Sequence, residues 1–149
     1  MTPFLSKIAA LTSFRDNLNE VIADCFKENE EYLIDLNRHE QLVRRGIDGE
    51  GLTIEPPYED STKVLKQIKG QITSHVTLRD TGDFQDSFEL EVGTSQAEIT
   101  SPHYLLKSLQ KKYGVNILGI TPDHLQDFTE SVIFEKLIHK LNELLSNGK

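Results

Sequence analysis

The fold class is decided by the stretch Ser87-Phe88-Glu89-Leu90-Glu91-Val92-Gly93-Thr94-Ser95-Gln96-Ala97-Glu98-Ile99-Thr100. Polar and apolar residues alternate on both sides of Gly93-Thr94-Ser95, whose composition is typical of a tight turn. A period of two places successive side chains on opposite faces of a strand. The stretch therefore predicts an antiparallel hairpin with one face on the core and the other face in water.

Upstream of the hairpin, two further segments show regular patterns. The first, His75-Val76-Thr77-Leu78-Arg79, alternates and predicts another strand. Before it, Asp60 or Ser61 can cap a short helix that runs to Lys69, and Gly70 suits the position after that helix. One face of this helix carries Val64, Leu65 and Ile68. The other side, which we expect to be solvated, carries Lys63, Lys66 and Lys69.

Longer helical patterns lie at both ends of the chain. Apolar residues at steps of three and four predict one amphipathic helix from Asn17 to about Leu42. A shorter helix from Pro3 to Leu11 precedes it, and Thr12-Ser13 is expected to break the chain between the two. At the other end, Thr121-Pro122 opens a C-terminal helix that runs almost to Ser146.

These elements together predict an α+β fold. Ser101-Pro102 adds a second short helix, which ends at Gly114. The small antiparallel sheet packs with the long N-terminal helix, two short helices and the long C-terminal helix. Because 149 residues are about one domain by length, we expect residues 1–149 to form a single domain.

The composition excludes several classes of function. Lys plus Arg number 16 and Asp plus Glu number 24, and the net charge of −8 disfavours binding to DNA or RNA through many phosphates. Cys25 is the only cysteine, which excludes an intramolecular disulfide and a cysteine zinc site. No apolar stretch reaches the ~20 residues that span a bilayer. The first residues show no export signal, so we expect a cytoplasmic site of synthesis and no membrane partner.

The string Asp80-Thr81-Gly82 resembles the motif with which aspartic proteases present a catalytic carboxylate. Retropepsin-like enzymes have one such motif per chain and dimerise, so that two aspartates share one proton. Arg79 stands where that motif has an apolar residue, and Asp83 stands where it has a small one. A further carboxylate would disturb the shared proton. A dimeric protease that uses Asp80 is therefore an alternative, and the favoured interpretation assigns no catalytic residue.

The same string also fits a purely structural turn. Asp80 can cap a single helical turn, Asp83 favours the positive end of that turn, and Gly82 permits the change of direction. Phe84 and Phe88 then anchor the turn in the core. The 5 histidines are scattered, and no pair has the helical spacing of zinc ligands. We therefore expect neither a metal nor another cofactor.

The segment from Val76 to Phe88 resembles the signature of phage tail-completion, or neck, morphogenesis proteins. In that family the string D-T-G-x-[LF]-x-x-S joins a strand, a turn and the next strand. The residues that match it here are Asp80, Thr81, Gly82, Phe84 and Ser87. A variant seen among phages and prophages of Bacteroidetes-type bacteria is also similar to this chain, in the strings Gly46-Ile47-Asp48-Gly49-Glu50-Gly51, Pro56-Pro57-Tyr58 and Lys112-Tyr113-Gly114.

The resemblance implies a function without catalysis. A protein of this family is a structural part of the virion, a head–tail connector or tail-completion subunit that forms a ring by heterologous contacts. Its expected partners are further copies of itself and the neighbouring neck or tail proteins. Its expected location is the virion, after assembly in the host cytoplasm. A cytoplasmic assembly adaptor or chaperone is a second alternative.

The C-terminal helix carries the candidate interface. At ~1.5 Å per residue it would be about 35 to 40 Å long, which is more than a small domain can cover. Its apolar residues also extend beyond the stripe formed by Leu125, Phe128, Val132 and Leu137. We therefore expect Phe134 and Ile138 to be exposed in the isolated subunit and buried against a neighbouring copy.

Overall fold

Helices form most of the computed structural model, which describes residues 2–147 and has the predicted α+β fold. The α-helices are α1 (Pro3–Asp16), α2 (Leu18–Glu28), α3 (Glu30–Asp35), α4 (Asp60–Ile68), α5 (Asp83–Asp86), α6 (Leu106–Tyr113), α7 (Pro122–Phe128) and α8 (Phe134–Asn147). Other helical geometries occur in two π-helical segments, Leu36–Arg45 and Thr129–Ile133, and in the 3₁₀ turn Val115–Ile117. The predicted hairpin is present as the antiparallel strands β1 (Glu89–Val92) and β2 (Ala97–Thr100).

The breaks in the N-terminal helical region differ from the prediction. The expected break at Thr12-Ser13 is wrong, because α1 continues to Asp16. The breaks fall instead at Asn17 and Asn29. Asn17 Nδ2 donates to the carbonyl of Ser13 at 2.8 Å, and Asn29 Nδ2 donates to the carbonyl of Cys25 at 2.8 Å. An asparagine amide that bonds the helical backbone competes with the helical ladder, so the two asparagines end their helices.

The described chain forms two compact units. The first contains residues 2–29, Val92–Ala97 and residues 125–147, and the second contains Glu30–Glu91 and Glu98–His124. The single domain predicted for residues 1–149 stays a prediction.

In the first unit, α1 and α2 pack against α8. The ring centroids of Phe26 and Phe128 lie 5.2 Å apart. Ile133, the last residue of the π-helical segment Thr129–Ile133, is buried. Cys25 is also buried, and this burial raises the pKa of its thiol. The buried apolar side chains of this unit therefore come from its two helical segments, 2–29 and 125–147.

The second unit holds the larger cluster of buried apolar residues. It comprises Ile34, Leu42, Ile54, Val76, Leu78, Phe84, Phe88, Ile99 and Ile117. Phe88 lies just before β1 and Ile99 lies within β2, so the hairpin contributes its apolar face to this cluster, as the alternation predicts.

The strand predicted over His75-Val76-Thr77-Leu78-Arg79 is wrong. The hydroxyl of Tyr58 accepts the N–H groups of Thr77 and Leu78 at 2.9 and 3.3 Å, and Gln85 Nε2 donates to the carbonyl of Thr77 at 2.7 Å. Side chains therefore satisfy backbone groups that a neighbouring strand would otherwise pair. Leu78 also has a φ of 56°, a left-handed conformation that no strand residue adopts.

Two fully buried amides join distant parts of the second unit. Asn37 Nδ2 donates to the carbonyl of Ile117 at 3.0 Å. Asn37 Oδ1 accepts the N–H of Gly119, also at 3.0 Å. One helical turn later, Gln41 Nε2 donates to the carbonyl of Gly119 at 2.8 Å, and Gln41 Oε1 accepts the N–H of Thr121 at 3.0 Å. The π-helical segment is thus tied to the loop that leads into α7.

The close packing of the loop around Gly49 requires a residue without a side chain at position 49. Gly49 N–H donates to the carbonyl of Asn116 at 2.7 Å, and a Cβ at Gly49 would lie 3.0 Å from the Cα of Gly119. The glycine-rich loop after Arg45 can therefore lie directly against the segment that the two amides bind.

Replacing Gln41 by leucine should strongly destabilise the protein. The change leaves the carbonyl of Gly119 and the N–H of Thr121 without their partner in a buried site. Each unsatisfied buried group costs about 1–3 kcal/mol, so we expect a loss of about 2 kcal/mol or more in the free energy of unfolding.

The matched control is Gln126→Leu, on the exposed surface of α7, where a substitution should change the stability by less than about 0.5 kcal/mol. Urea denaturation of both variants measures the difference. Equal stability of the two variants would contradict the proposed role of the buried amides.

Candidate functional site

The Asp80-Thr81-Gly82 string forms a turn that leads into the one-turn helix α5. Gly82 has a φ of 97°, which favours glycine, and Asp83 lies in the first turn of the helix. The hydroxyl of Thr81 accepts the N–H of Asp83 at 3.3 Å. The predicted single helical turn is therefore confirmed, together with the places of Gly82 and Asp83 in it.

The predicted capping role of Asp80 is wrong. The N-cap position of α5 belongs to Gly82, with no side-chain cap, and the Asp80 carboxylate instead accepts a hydrogen bond from Lys69 Nζ at 2.5 Å. This hydrogen bond lowers the pKa of Asp80, and the positive charges of Lys69 and Lys66 act in the same direction. The Asp80 carboxylate, which the local sequence predicts as a helix cap, therefore binds the side chain of Lys69, a residue outside the turn.

The remaining motif residues serve the core. Phe84 is buried and makes edge-to-face contacts with Phe88 and His103, at 5.1 and 5.8 Å between ring centroids. Ser87 Oγ donates to the carbonyl of Phe84 at 2.5 Å and lies 2.6 Å from Ser101 Oγ. Phe84 and Phe88 anchor the turn as predicted.

A cavity of about 380 Å³ lies beside the turn in the second unit. Asp80, Thr81, Gly82 and Phe84 line it, whereas Ser87 does not. Its other lining residues are Tyr58, Lys66, Leu78, Arg79, Asp83, His103, Tyr104, Leu105, Leu109 and Tyr113. The structure thus brings four of the five motif residues to one cavity wall.

Lys69 places a positive charge beside the Asp80 carboxylate in this wall. The ion pair stabilises the charged form of Asp80 and so lowers its pKa.

Helix α4 is attached to the turn by its charged side. Lys66 is only 8% exposed, and its Nζ donates to the carbonyl of Arg79 at 2.7 Å and to Gln71 Oε1 at 3.3 Å. The ammonium also lies 4.8 Å from the ring centroid of Tyr58, close enough for a cation–π contact. Just after the helix, Gln71 Nε2 donates to the carbonyl of Asp80 at 2.6 Å. The expectation of a solvated lysine side is therefore wrong for Lys66, and Lys69 is held by Asp80.

The apolar side of α4 consequently faces water. Val64, Leu65 and Ile68, named here the α4 face, are 54%, 61% and 78% exposed. A helix on the surface of a soluble domain ordinarily turns its apolar stripe to the core and its lysines to solvent. The sequence pattern identified these two sides of the helix, and the structure buries Lys66 from the lysine side while it leaves the apolar side exposed.

The candidate interface residues lie on the surface of the first unit. Phe134 and Ile138, named here the α8 face, are 51% and 60% exposed and stand four residues apart on one side of α8. Their burial against a neighbouring copy stays a prediction.

Within residues 2–147, no cluster of histidine, cysteine, aspartate and glutamate side chains has the geometry of a metal site. No helix in the same residues is long and apolar enough to cross a membrane. No protein-family model, curated protein or solved structure matches the chain.

The two roles considered for Asp80 predict different effects of substitution. A cap would tolerate asparagine and lose about 1 kcal/mol with alanine. The ion pair is lost equally in Asp80→Asn and Asp80→Ala, and because both of its groups are largely exposed we expect each variant to lose about 1 kcal/mol or less at neutral pH.

The pH dependence gives a second measurement of the same role. Since the pKa of Asp80 is lowered in the folded protein, the ion pair stabilises the fold above the usual carboxyl pKa. That contribution disappears as the pH falls through the lowered pKa, so the wild-type protein and the two variants should converge in stability in acid. Urea denaturation at neutral and acidic pH tests this, and a stable Asp80→Asn beside a weakened Asp80→Ala would restore the capping role.

Proposed function

We propose that this protein is a structural subunit of a tailed-phage virion, a head–tail connector or tail-completion protein that self-associates into a ring. The observation that carries the proposal is the exposure of large apolar side chains, beginning with the α8 face. Contiguous apolar surface on a soluble protein marks a site of interaction with another molecule. The D-T-G-x-[LF]-x-x-S string, which the chain shares with phage neck proteins, indicates which assembly that is.

Helix α1 adds to the apolar surface of the first unit. Lys7 is the only charged residue between Pro3 and Phe14, and no residue of α1 is buried. Its exposed apolar side chains are Phe4, Leu5, Ile8 and Leu11. A helix that is apolar on most sides is usually covered by a neighbour, which supports a subunit designed for assembly.

The charge of the chain fits a ring through which DNA passes. The net charge of −8 gives each copy an acidic character, so that a ring of copies repels the phosphates of the double helix. DNA can then move through the channel without being retained. The proposal accordingly includes no specific binding of nucleic acid.

The structure of the turn supports a role without catalysis. Asp80 is engaged by Lys69, and the neighbouring backbone carbonyls of Arg79 and Asp80 are engaged by Lys66 and Gln71. The string that resembles a protease motif here positions a helix. This favours an assembly protein over the dimeric protease.

Mass spectrometry of particles tests the proposal directly. Particles purified from a culture that produces the phage or prophage encoding this chain should contain it in a fixed ratio to the portal protein, and electron microscopy of antibody-labelled particles should show it at the neck. A chain that binds assembly intermediates in the cell and is absent from finished particles would be an adaptor or chaperone instead.

The double variant Phe134→Ala/Ile138→Ala should separate assembly from folding. Truncating exposed side chains changes stability by less than about 0.5 kcal/mol each, so the melting temperature should stay nearly constant. A buried aromatic anchor at an interface contributes about 2 kcal/mol or more, so incorporation into particles should be lost.

The matched control is Leu52→Ala/Val115→Ala, which truncates two exposed apolar side chains elsewhere in the chain. This variant should both fold and incorporate. Unfolding of the α8 variant would place Phe134 and Ile138 in the subunit's own core, and normal incorporation would remove the α8 face from the interface.

A further inference from the structure

We infer that the cavity beside the Asp80 turn binds a small molecule that combines an aromatic ring with a single carboxylate. The cavity has a volume of about 380 Å³, which lies at the lower end of the range of small-molecule sites, about 300–1,000 Å³. Exposed residues such as Asp83 and Tyr104 line it, so the cavity is open to solvent. The inference does not depend on the proposed function.

Aromatic side chains form a large part of the cavity wall. They include Phe84, His103, Tyr104 and Tyr113. The rings of His103 and Tyr104 are stacked, with their centroids 4.7 Å apart and an angle of 24° between their planes. Tyr104 is nevertheless 84% exposed. A planar ring bound in the cavity can therefore stack on Tyr104, and such aromatic pairs add affinity beyond the apolar area that they bury.

The groups in the wall that attract cations are already occupied by lysines of the chain. Lys69 binds the Asp80 carboxylate. The rings of Tyr58 and Tyr113 each lie under a lysine ammonium, at 4.8 and 5.1 Å from the ring centroids. A cationic ligand would have to displace these side chains. Asp83, the other acid of the wall, is exposed to water, which weakens its attraction for a ligand.

Two positive groups of the wall lack an acidic partner of their own. Lys66 is only 8% exposed, and its ammonium donates to two neutral oxygens, the carbonyl of Arg79 and Gln71 Oε1. Asp80 feels the charge of Lys66, but its carboxylate is bonded to Lys69. The hydrogen bonds of Arg79 involve only its backbone, and within residues 2–147 its guanidinium forms no ion pair. Because a buried charge is unfavourable without a counter-charge, an anion in the cavity would be stabilised here.

The Arg79 guanidinium lies where it can bind a carboxylate in the cavity. Its Nη2 is 3.7 Å from the position that a Cβ on Gly82 would occupy, and both residues line the cavity. Asp86 Oδ2 lies at the same distance from this position but forms no ion pair with Arg79. A planar guanidinium matches a carboxylate through two parallel hydrogen bonds.

The net charge of the wall favours a monoanion. Asp80 and Lys69 form a neutral pair. Of the other lining residues, Lys66 and Arg79 are positive and Asp83 is negative, which leaves one positive charge. A single carboxylate balances this charge, whereas a phosphate dianion would add a second negative charge near two acids.

The backbone of the wall is strained next to the proposed carboxylate site. Leu78, the residue before Arg79, is buried, lines the cavity and has a φ of 56°. This left-handed conformation is unfavourable for a bulky side chain, and residues held in such conformations are concentrated at ligand-binding and other functional sites. The strain at Leu78 supports a wall whose shape serves binding.

Titrations of the full chain followed by two-dimensional NMR test the inference. The probes share one ring and differ in charge: phenylacetate, its neutral amide phenylacetamide, the cation phenethylamine and the dianion benzyl phosphate. We expect phenylacetate to bind with a Kd of about 1 mM or below and to shift the amide resonances of Thr81 and Gly82. The other three probes should bind about tenfold more weakly, because each lacks the charge that the wall balances.

Arg79→Gln removes the positive group and keeps the backbone contacts of residue 79. Since the side chain is exposed, this variant should keep the wild-type melting temperature. It should bind phenylacetate about tenfold more weakly and phenylacetamide as before. The matched control is Arg45→Gln, an exposed arginine of the same unit that does not line the cavity, which should leave both affinities unchanged.

Tyr104→Ala tests the aromatic part of the site without relying on Arg79. It truncates an exposed side chain, so the fold should be retained, and it should weaken the binding of phenylacetate and phenylacetamide alike by about two- to tenfold. The matched control is Phe4→Ala, which truncates an exposed aromatic side chain of the first unit and should leave both affinities unchanged.

Five results would overturn the inference. They are no binding of phenylacetate at about 10 mM, well above the expected Kd, equal affinities for phenylacetate and its amide, tighter binding of phenethylamine, tighter binding of benzyl phosphate, and unchanged affinity in a folded Arg79→Gln variant. If Arg79→Gln does not fold, the comparison of the four probes and Tyr104→Ala decide. These results leave the proposed function untouched, because that function is tested by the content of purified particles.

Discussion

The buried amides of Asn37 and Gln41 are the interaction on which the second unit depends. They lie one helical turn apart and satisfy backbone groups of the loop from Ile117 to Thr121. Because both amides are buried, these hydrogen bonds hold the π-helical segment and the loop in a fixed position relative to each other. His75 Nε2, which lies 2.6 Å from the carbonyl of Val43 at the other side of the same segment, adds a further tie. The loop that carries the Asp80 turn begins from this fixed base.

Local sequence signals predicted the elements that are stabilised locally. The hairpin, the short helix that ends just before Gly70 and the C-terminal helix that begins at Pro122 follow from alternation, from a glycine that tolerates a positive φ and from a proline in a first turn. The strand predicted over 75–79 failed because the hydroxyl of Tyr58, nineteen residues from Thr77 along the chain, competes with a strand partner. No pattern within that segment could reveal this competitor.

The sequence predicted which residues form the candidate turn, but it did not predict how helix α4 packs against that turn. The string from Asp80 to Ser87 identified the turn, the single helical turn after it and the buried Phe84. Periodicity separates the two sides of a helix such as α4 but does not say which side is inward, because that depends on partners elsewhere in the chain. Here the Arg79 carbonyl, the Asp80 carboxylate and the Tyr58 ring bind the lysine side. A buried lysine is rare enough that composition argues against it.

The position of Cys25 has a consequence for the lifetime of the protein outside a cell. A thiol must be deprotonated and accessible to be oxidised or to exchange with a disulfide. Cys25 is buried and its pKa is raised, so at neutral pH it carries its proton and is shielded from dissolved oxidants and from thiols of adjacent chains. For a subunit proposed to leave the cytoplasm inside a particle, this position protects the Cys25 thiol from oxidation in an aerobic environment and disfavours disulfide cross-links between copies that are held close together for long periods.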